Sequence, residues 1–249
     1  MFAQETTPLL RKPLKEEVFE VLHERIIAGQ YTPGEWLRQE DISSQLGISM
    51  TPVREALDLL VSAGLAERIP YRGVRVLQPS VQEIVDSYGL RLLLECSAVY
   101  SAAIYILPEQ IAHLNKILDQ SKSLVKLKDM SRDRALSREL HGTIVAASGN
   151  ILLHKMYLTV LNTFPDWMLY EYLFRHPELL DTSMTREYKE HQEIVAALSE
   201  HKSELAVQKT IKHLTNLGRE LKDYLGIPGE LVGLKENQIL SLLKQFGNS

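Results

Sequence analysis

The chain has 249 residues, 45% of them hydrophobic and 24% charged, with 28 Lys+Arg against 32 Asp+Glu and a formal net charge of −4. That composition excludes a disordered, collagenous or coiled-coil protein and leaves room for one large domain or two modest ones. The near-even charge provides no general field for nucleic acid, so any such partner must be read from local pattern.

Leu14, Val18, Val21, Leu22 and Ile26 recur at helical spacing up to Gly29, which predicts a helix over 14–28. Tyr31-Thr32-Pro33-Gly34 is a turn. Leu37, Ile42 and Leu46 then mark a short helix stopping at Gly47, and a third helix opens at Ser49-Met50-Thr51-Pro52. There Ser49 or Thr51 can cap, and Pro52 sits in the first turn, where its missing N–H costs nothing. The inner face is Val53, Ala56, Leu57 and Leu60, and Gly64 closes the helix. Residues 65–69 and 74–77 read as short strands around Pro70-Tyr71-Arg72-Gly73. Arg68, Arg72 and Arg75, with no acid among them, form a small basic prong. This order is that of a winged helix-turn-helix, whose helix after the turn enters the major groove while the hairpin meets the neighbouring backbone. Ser49, Met50, Thr51 and Arg54 would face DNA. The competing reading is a three-helix packing module in which Arg54 pairs with Asp58 one turn on.

From Ser80 the pattern is almost purely helical. Val81, Ile84, Val85, Tyr88, Leu92, Glu95 and Val99 carry a helix to Ile106, and Ser80 with Glu83 makes a capping box. Although apolar, residues 90–107 include Arg91 and Glu95 and fall short of the ~20 apolar residues a membrane span needs. Cys96, alone in the chain, reads as a small buried hydrophobe. Further helices are expected over 108–128, 132–148, 150–172, 182–200 and 202–224. Gly226 to Gly233, with Pro228, breaks the last of them, and residues 234–246 form a short terminal helix with no assigned place. The domain boundary falls at 78–80. The opening residues, with neither a basic start nor an apolar stretch and cleavage site, predict a cytoplasmic location.

Leu46 to Leu57, LGISMTPVREAL, closely resembles the turn and recognition helix of the GntR superfamily of bacterial transcription regulators. Tyr31–Gly34, Leu59–Leu65 and Arg72-Gly73-Val74 resemble that family's linker, helix end and wing. The second part resembles the family's FadR-type, all-helical FCD ligand domain. The residues carrying this are Tyr88–Glu95, His141–Asn150, Glu190–Leu198 and His213-Leu214, so the resemblance covers 14–224. It implies a mainly α chain, with a winged helix-turn-helix DNA-binding domain over 1–79 and a helical bundle for effector binding and dimerisation over 80–249. The implied protein is a cytoplasmic homodimer, a repressor of double-stranded operator DNA, answering to a small-molecule effector that is expected to be a carboxylate.

Carried over residue by residue, DNA contacts fall on Arg38, Ser49, Met50, Thr51, Arg54, Arg72 and Gly73. Met50 departs from the family's arginine, exchanging bidentate guanine recognition for apolar contact, so operator sequence does not transfer. Metal-binding FCD domains use an Asp or Asn one turn before a histidine, plus two later histidines. His141, His191 and His213 match the histidines, whose imidazoles suit a divalent ion such as Zn²⁺ or Ni²⁺. Ser137 stands at the first position and leaves the fourth coordination place to water or to an effector carboxylate. Effector contacts are assigned to Arg91 and Ser137, Arg91 being either a cation for an anionic effector or half of an i,i+4 pair with Glu95. His23, His113, His154, His176 and His201 read as ordinary, and Phe164, Trp167, Tyr170, Tyr172 and Phe174 as core more than pocket. Two rivals stay open: a metal-free regulator answering to an acyl-CoA or another metabolite, and, more remotely, a metal-dependent hydrolase activating water on a three-histidine zinc. Against the hydrolase, no general base has a clear claim; Glu187 and Glu190 are only near in sequence. No catalytic residue is assigned.

Overall fold

A computed structural model describes residues 12–124 and 126–247; the first eleven residues, on which the absence of an export signal was read, lie outside it. The N-terminal unit is α1 (Leu14–Ile27), α2 (Gln39–Leu46), α3 (Met50–Ser62), β1 (Ala66–Ile69) and β2 (Gly73–Val76). The expected inner face of α3, Val53, Ala56, Leu57 and Leu60, is fully buried and packs with Val18, Leu22 and Ile26 of α1. Gly47 ends α2 in the left-handed region (φ 66°), and the turn is braced by Ser43 Oγ donating to the Ile48 carbonyl at 2.6 Å. Ser49 occupies the N-cap of α3, yet its hydroxyl bonds no first-turn N–H and Thr51 lies inside the helix, so the expected side-chain cap is not made.

β1 and β2 pair antiparallel from Ala66↔Val76 to Ile69↔Gly73, and a bridge between Trp36 and Arg75 adds a third short segment to the wing. Leu37 therefore belongs to that segment, donating its N–H to the Val74 carbonyl, rather than to α2. The basic prong is largely neutralised: Arg68 pairs with Asp58, and Arg75 Nε donates to Glu67 at 2.8 Å. Because Arg68 takes Asp58, the Arg54–Asp58 pair does not form, and among the described residues Arg54 and Arg72 have no acid partner.

The bundle comprises α4 (Val81–Tyr105), α5 (Pro108–Ser121), a 3₁₀ turn (Leu127–Asp129), α6 (Met130–Ala147), α7 (Ile151–Thr163), α8 (Asp166–Arg175), α9 (Pro177–Ser199), α10 (Ser203–Leu225) and α11 (Gly229–Gly247). The capping box at Ser80 is present: Glu83 N–H donates to Ser80 Oγ at 3.2 Å, and Glu83 Oε2 accepts from Ser80 N–H at 2.7 Å. The single helix expected over 150–172 is two, α7 and α8, because Pro165 lacks an N–H and its ring cannot follow a helical turn. α9 begins at Pro177, not residue 182, since proline is pre-set for a first helical position. The terminal helix likewise starts earlier, at Gly229, and its place is against α4 and α10. There the Tyr88 hydroxyl donates to Glu236 Oε1 at 2.7 Å and Lys235 pairs with Asp86 at 2.7 Å.

The hydrophobic core does not stop at residue 79: Leu22, Val53 and Leu57 share one buried cluster with Met130, Trp167, Leu173 and Leu180. Gly64 makes the approach close. It sits at φ +69°, and a Cβ there would lie 2.8 Å from the Asn162 carbonyl oxygen. Buried charge crosses the same junction. Arg134 on α6 donates to Asp166 Oδ1 at 2.6 Å and to the Ala63 carbonyl, just past α3, at 3.1 Å. Its other terminal nitrogen lies 3.4 Å from His23 Nε2 on α1. Arg138 adds a bond to Asp166 Oδ2 at 3.2 Å.

Candidate functional site

Two sets of residues stand out, one on the surface of the N-terminal unit and one inside the bundle. Ser49, Met50, Thr51 and Arg54 occupy the exposed first turns of α3, with Met50 at 52% exposure and no acid in the first turn. A helix N-terminus of this kind favours a phosphate, through its free N–H groups and its dipole. Arg38, Met50, Arg72 and Gly73 line one open groove between α3 and the wing, joined by Trp36, which periodicity did not single out. Four of the seven expected DNA residues thus share a groove, and the other three lie on the adjoining helix face.

Inside the bundle, α6, α9 and α10 bring His141, His191 and His213 together, with one ligand nitrogen of each within 4.8 Å of the others. All three are buried. His141 Nε2 and His191 Nε2 are 3.1 Å apart, close to the ~3.3 Å between two nitrogens on one tetrahedral zinc. Carboxylates stand behind two of the rings: Glu95 Oε2 is 2.8 Å from His141 Nδ1, and Glu190 Oε2 is 2.9 Å from His213 Nδ1. Each fixes the proton on Nδ1, turning the Nε2 lone pair inward, as metal-binding histidines require. Glu95 is held in turn by Arg91 Nε at 2.8 Å, and Glu190 by Asn216. Of the two readings of Arg91, the i,i+4 pair is formed; the guanidinium also borders the cavity and lies 4.8 Å over the Phe164 ring.

Burial, then the neighbouring imidazoles, holds His191 well below 6.5, and burial lowers His141 against the opposing pull of Glu95. Burial alone would raise the Glu95 carboxyl, yet Arg91 and His141 hold it far below the carboxylate range. The result is two neutral imidazoles, His141 and His191, the first backed by the ionised Glu95; with His213 they make a donor set that fits a divalent ion of borderline softness. Ser137 Oγ points to Glu187, donating to its Oε1 at 2.9 Å. A cavity of about 60 Å³ is lined by Arg91, Ser137, His141, Glu187, Glu190 and His213 among others. The supporting Glu95, Glu187 and Glu190 were passed over as ligand partners in the sequence; an acid at i−4 or i−1 to a histidine is too common to signal alone. His23 is not a bland histidine: it is buried at the domain junction, where burial, then Arg134, lowers it to about 3. Phe164 and Trp167 are core, whereas Tyr170 also borders the cavity, with its hydroxyl donating to Asp133 at 3.1 Å.

A winged helix packed on an all-helical bundle with a buried histidine cavity defines a two-part, ligand-binding regulator architecture. The chain belongs to the gntR family of bacterial regulatory proteins: the profile "Bacterial regulatory proteins, gntR family" matches residues 14–76 and the FCD domain profile matches residues 86–216. It is 26% identical over 130 residues to the HTH-type transcriptional repressor RspR of Escherichia coli (strain K12), covering 52% of this chain and little more than half, 57%, of RspR. Over 203 residues it is 24% identical to the gluconate operon transcriptional repressor of Bacillus subtilis (strain 168), covering 81% and 82% of the two chains. In fold it is similar to E. coli McbR/YncC, with a TM-score of 0.64 at 22% identity, covering 86% of this chain and all (100%) of that one. The family and these relatives are transcription regulators, not enzymes, which sets the hydrolase reading aside. No helix among the described residues is long and apolar enough to cross a membrane.

Proposed function

We propose that the chain is a cytoplasmic, homodimeric transcription repressor. Residues 1–79 bind double-stranded operator DNA, and residues 80–249 dimerise and bind a small effector, a carboxylate, at the histidine cavity beside a divalent ion such as Zn²⁺ or Ni²⁺. The observation that carries this reading is the acid-free, exposed start of α3 beside the wing, with Arg54 and Arg72 having no acid partner among the described residues. Repression is favoured by the relatives described as repressors. Dimerisation is favoured by an apolar strip on the adjacent helices α4 and α7, where Leu90, Tyr100, Ile104, Ile151, Leu152 and Met156 are exposed; such surface on one chain marks an interaction site. A two-fold pair of winged helices meets a pseudo-palindromic operator.

His141, His191 and His213 would hold the ion, whose positive charge would favour an effector carboxylate in the adjoining cavity. Arg138 borders the same cavity and shares Asp166 with Arg134, whose guanidinium holds the Ala63 carbonyl at the end of α3. A ligand that displaces Arg138 therefore acts on the seat of the recognition helix, and linkage requires DNA and effector to alter each other's affinity by one factor, typically ~1–3 kcal/mol.

The test of the DNA assignment uses a fragment selected by the protein from a random duplex pool. Arg54→Ala is expected to weaken binding by about 1–3 kcal/mol in a fluorescence titration at fixed salt, with an unchanged melting temperature; equal affinity at matched salt refutes the assigned helix. For the metal, elemental analysis of protein purified without added metal is expected to find near one ion per chain. Chelation should then lower the melting temperature. Protein free of metal and indifferent both to chelator and to added Zn²⁺ or Ni²⁺ would remove the ion from this function.

A further inference from the structure

Three imidazoles leave a divalent ion of this kind short of its usual four donors. Two carboxylates of the cluster, Glu95 and Glu190, are committed behind the rings, on Nδ1 of His141 and His213. Glu187 is placed differently. It precedes His191 by one turn of α9, so both side chains share a face of that helix. Its Oε1 is 3.8 Å from His191 Nε2, the nitrogen that faces His141 Nε2 at 3.1 Å. That is longer than a hydrogen bond and within ~0.5 Å of one donor–donor edge of a tetrahedral set; only the three histidine nitrogens all lie within 4.8 Å of one another, so a turn of the Glu187 side chain would complete the other edges. The carboxylate borders the same cavity as His141 and His213, and no Lys or Arg among the described residues pairs with it. Ser137, reaching from α6 one turn before His141, donates its hydroxyl to that same Oε1 at 2.9 Å.

We propose that Glu187 is the fourth protein ligand of the ion held by His141, His191 and His213, and that Ser137 positions this carboxylate rather than ligating. Resting on the metal reading above, this gives a three-histidine, one-carboxylate site in which α9 contributes two ligands. The hydroxyl that looked like a lost ligand becomes the group that steers the ligand.

The test uses the full chain stripped with chelator. Zn²⁺ affinity is read by competition with a chelating dye, and Co²⁺ binding by visible absorption, which reports the coordination sphere directly. Glu187→Gln and Glu187→Ala are expected to bind Zn²⁺ at least ~10-fold more weakly and to change the position or intensity of the Co²⁺ bands. Ser137→Ala should keep the wild-type bands with a smaller loss of affinity. Melting of each metal-free variant at the wild-type temperature shows that folding is intact, and Gln, matching Glu in shape, guards against a packing effect. Glu187 variants that match the wild type in both affinity and Co²⁺ spectrum overturn the proposal. So does loss of the bands in Ser137→Ala with the Glu187 variants unchanged, which would make the serine the ligand. Wild-type protein that takes up neither ion overturns the metal reading itself, a result distinct from the other two.

Discussion

Asp166→Ala is expected to cost about 3–5 kcal/mol of folding free energy, the usual penalty for removing one member of a buried ion pair. The reason is what it abandons: Arg134 has a side chain 3% exposed and Arg138 one 15% exposed, and among the described residues Asp166 is the acid that both pair with. Arg134 Nε has no partner among the described residues, so without Asp166 the guanidinium keeps only neutral neighbours, the Ala63 carbonyl and His23. Asp166 also accepts the Trp167 N–H at 2.9 Å at the start of α8. Denaturant unfolding followed by circular dichroism measures the loss, and a change under ~1 kcal/mol would show that the junction tolerates a bare arginine. The acid limb has the same origin. Although burial opposes it, Arg134 and Arg138 hold Asp166 at about 2 against an ordinary 3.8, so its contribution is complete above pH 3.8 and is lost as pH falls through 2.

Stability is expected to decline well before that, from about pH 6.5 downward, through the buried histidines. His23 is lowered to about 3 from 6.5, first by burial and then by Arg134. Between those values the unfolded chain binds a proton that the folded chain refuses, so stability is full above 6.5 and falls toward 3. One such group gives up to ~1.4 kcal/mol per pH unit. His141 and His191, also lowered by burial, act with the same sign. Unfolding free energies at pH 7.5, 6.5 and 5.5 should therefore drop, with His23→Gln showing a shallower drop than wild type. A flat profile over that range, or an unchanged slope in the variant, counts against a neutral His23 at the junction.

The first effect comes from Asp166, which local pattern does not single out, and the second from His23, which it reads as ordinary, while much of the scaffold was legible. The buried face of α3, the glycine stop at Gly47, the hairpin and the Ser80–Glu83 box all follow from patterns in contiguous stretches of about ten residues or fewer, the range over which periodicity, turns and capping operate. Pro165 and Pro177 were equally local signals: a helix carried through Pro165 merges α7 with α8, and a helix start set beyond Pro177 shortens α9. The histidine triad is spread over three helices; its members were found through family register and not through spacing.

The sequence by itself determined the order of elements, the face each helix buries, and the residue types able to meet DNA or a metal, because backbone propensity and amphipathic period are properties of contiguous residues. Only the tertiary structure decided partners. Asp58 goes to Arg68 instead of Arg54, Glu95 to His141, Ser137 to Glu187, and Arg134 to His23 and Asp166. Charges and hydrogen-bonding groups select by distance and by exclusion from water, and both are set by how α4, α6, α9 and α10 pack, whatever the separation along the chain.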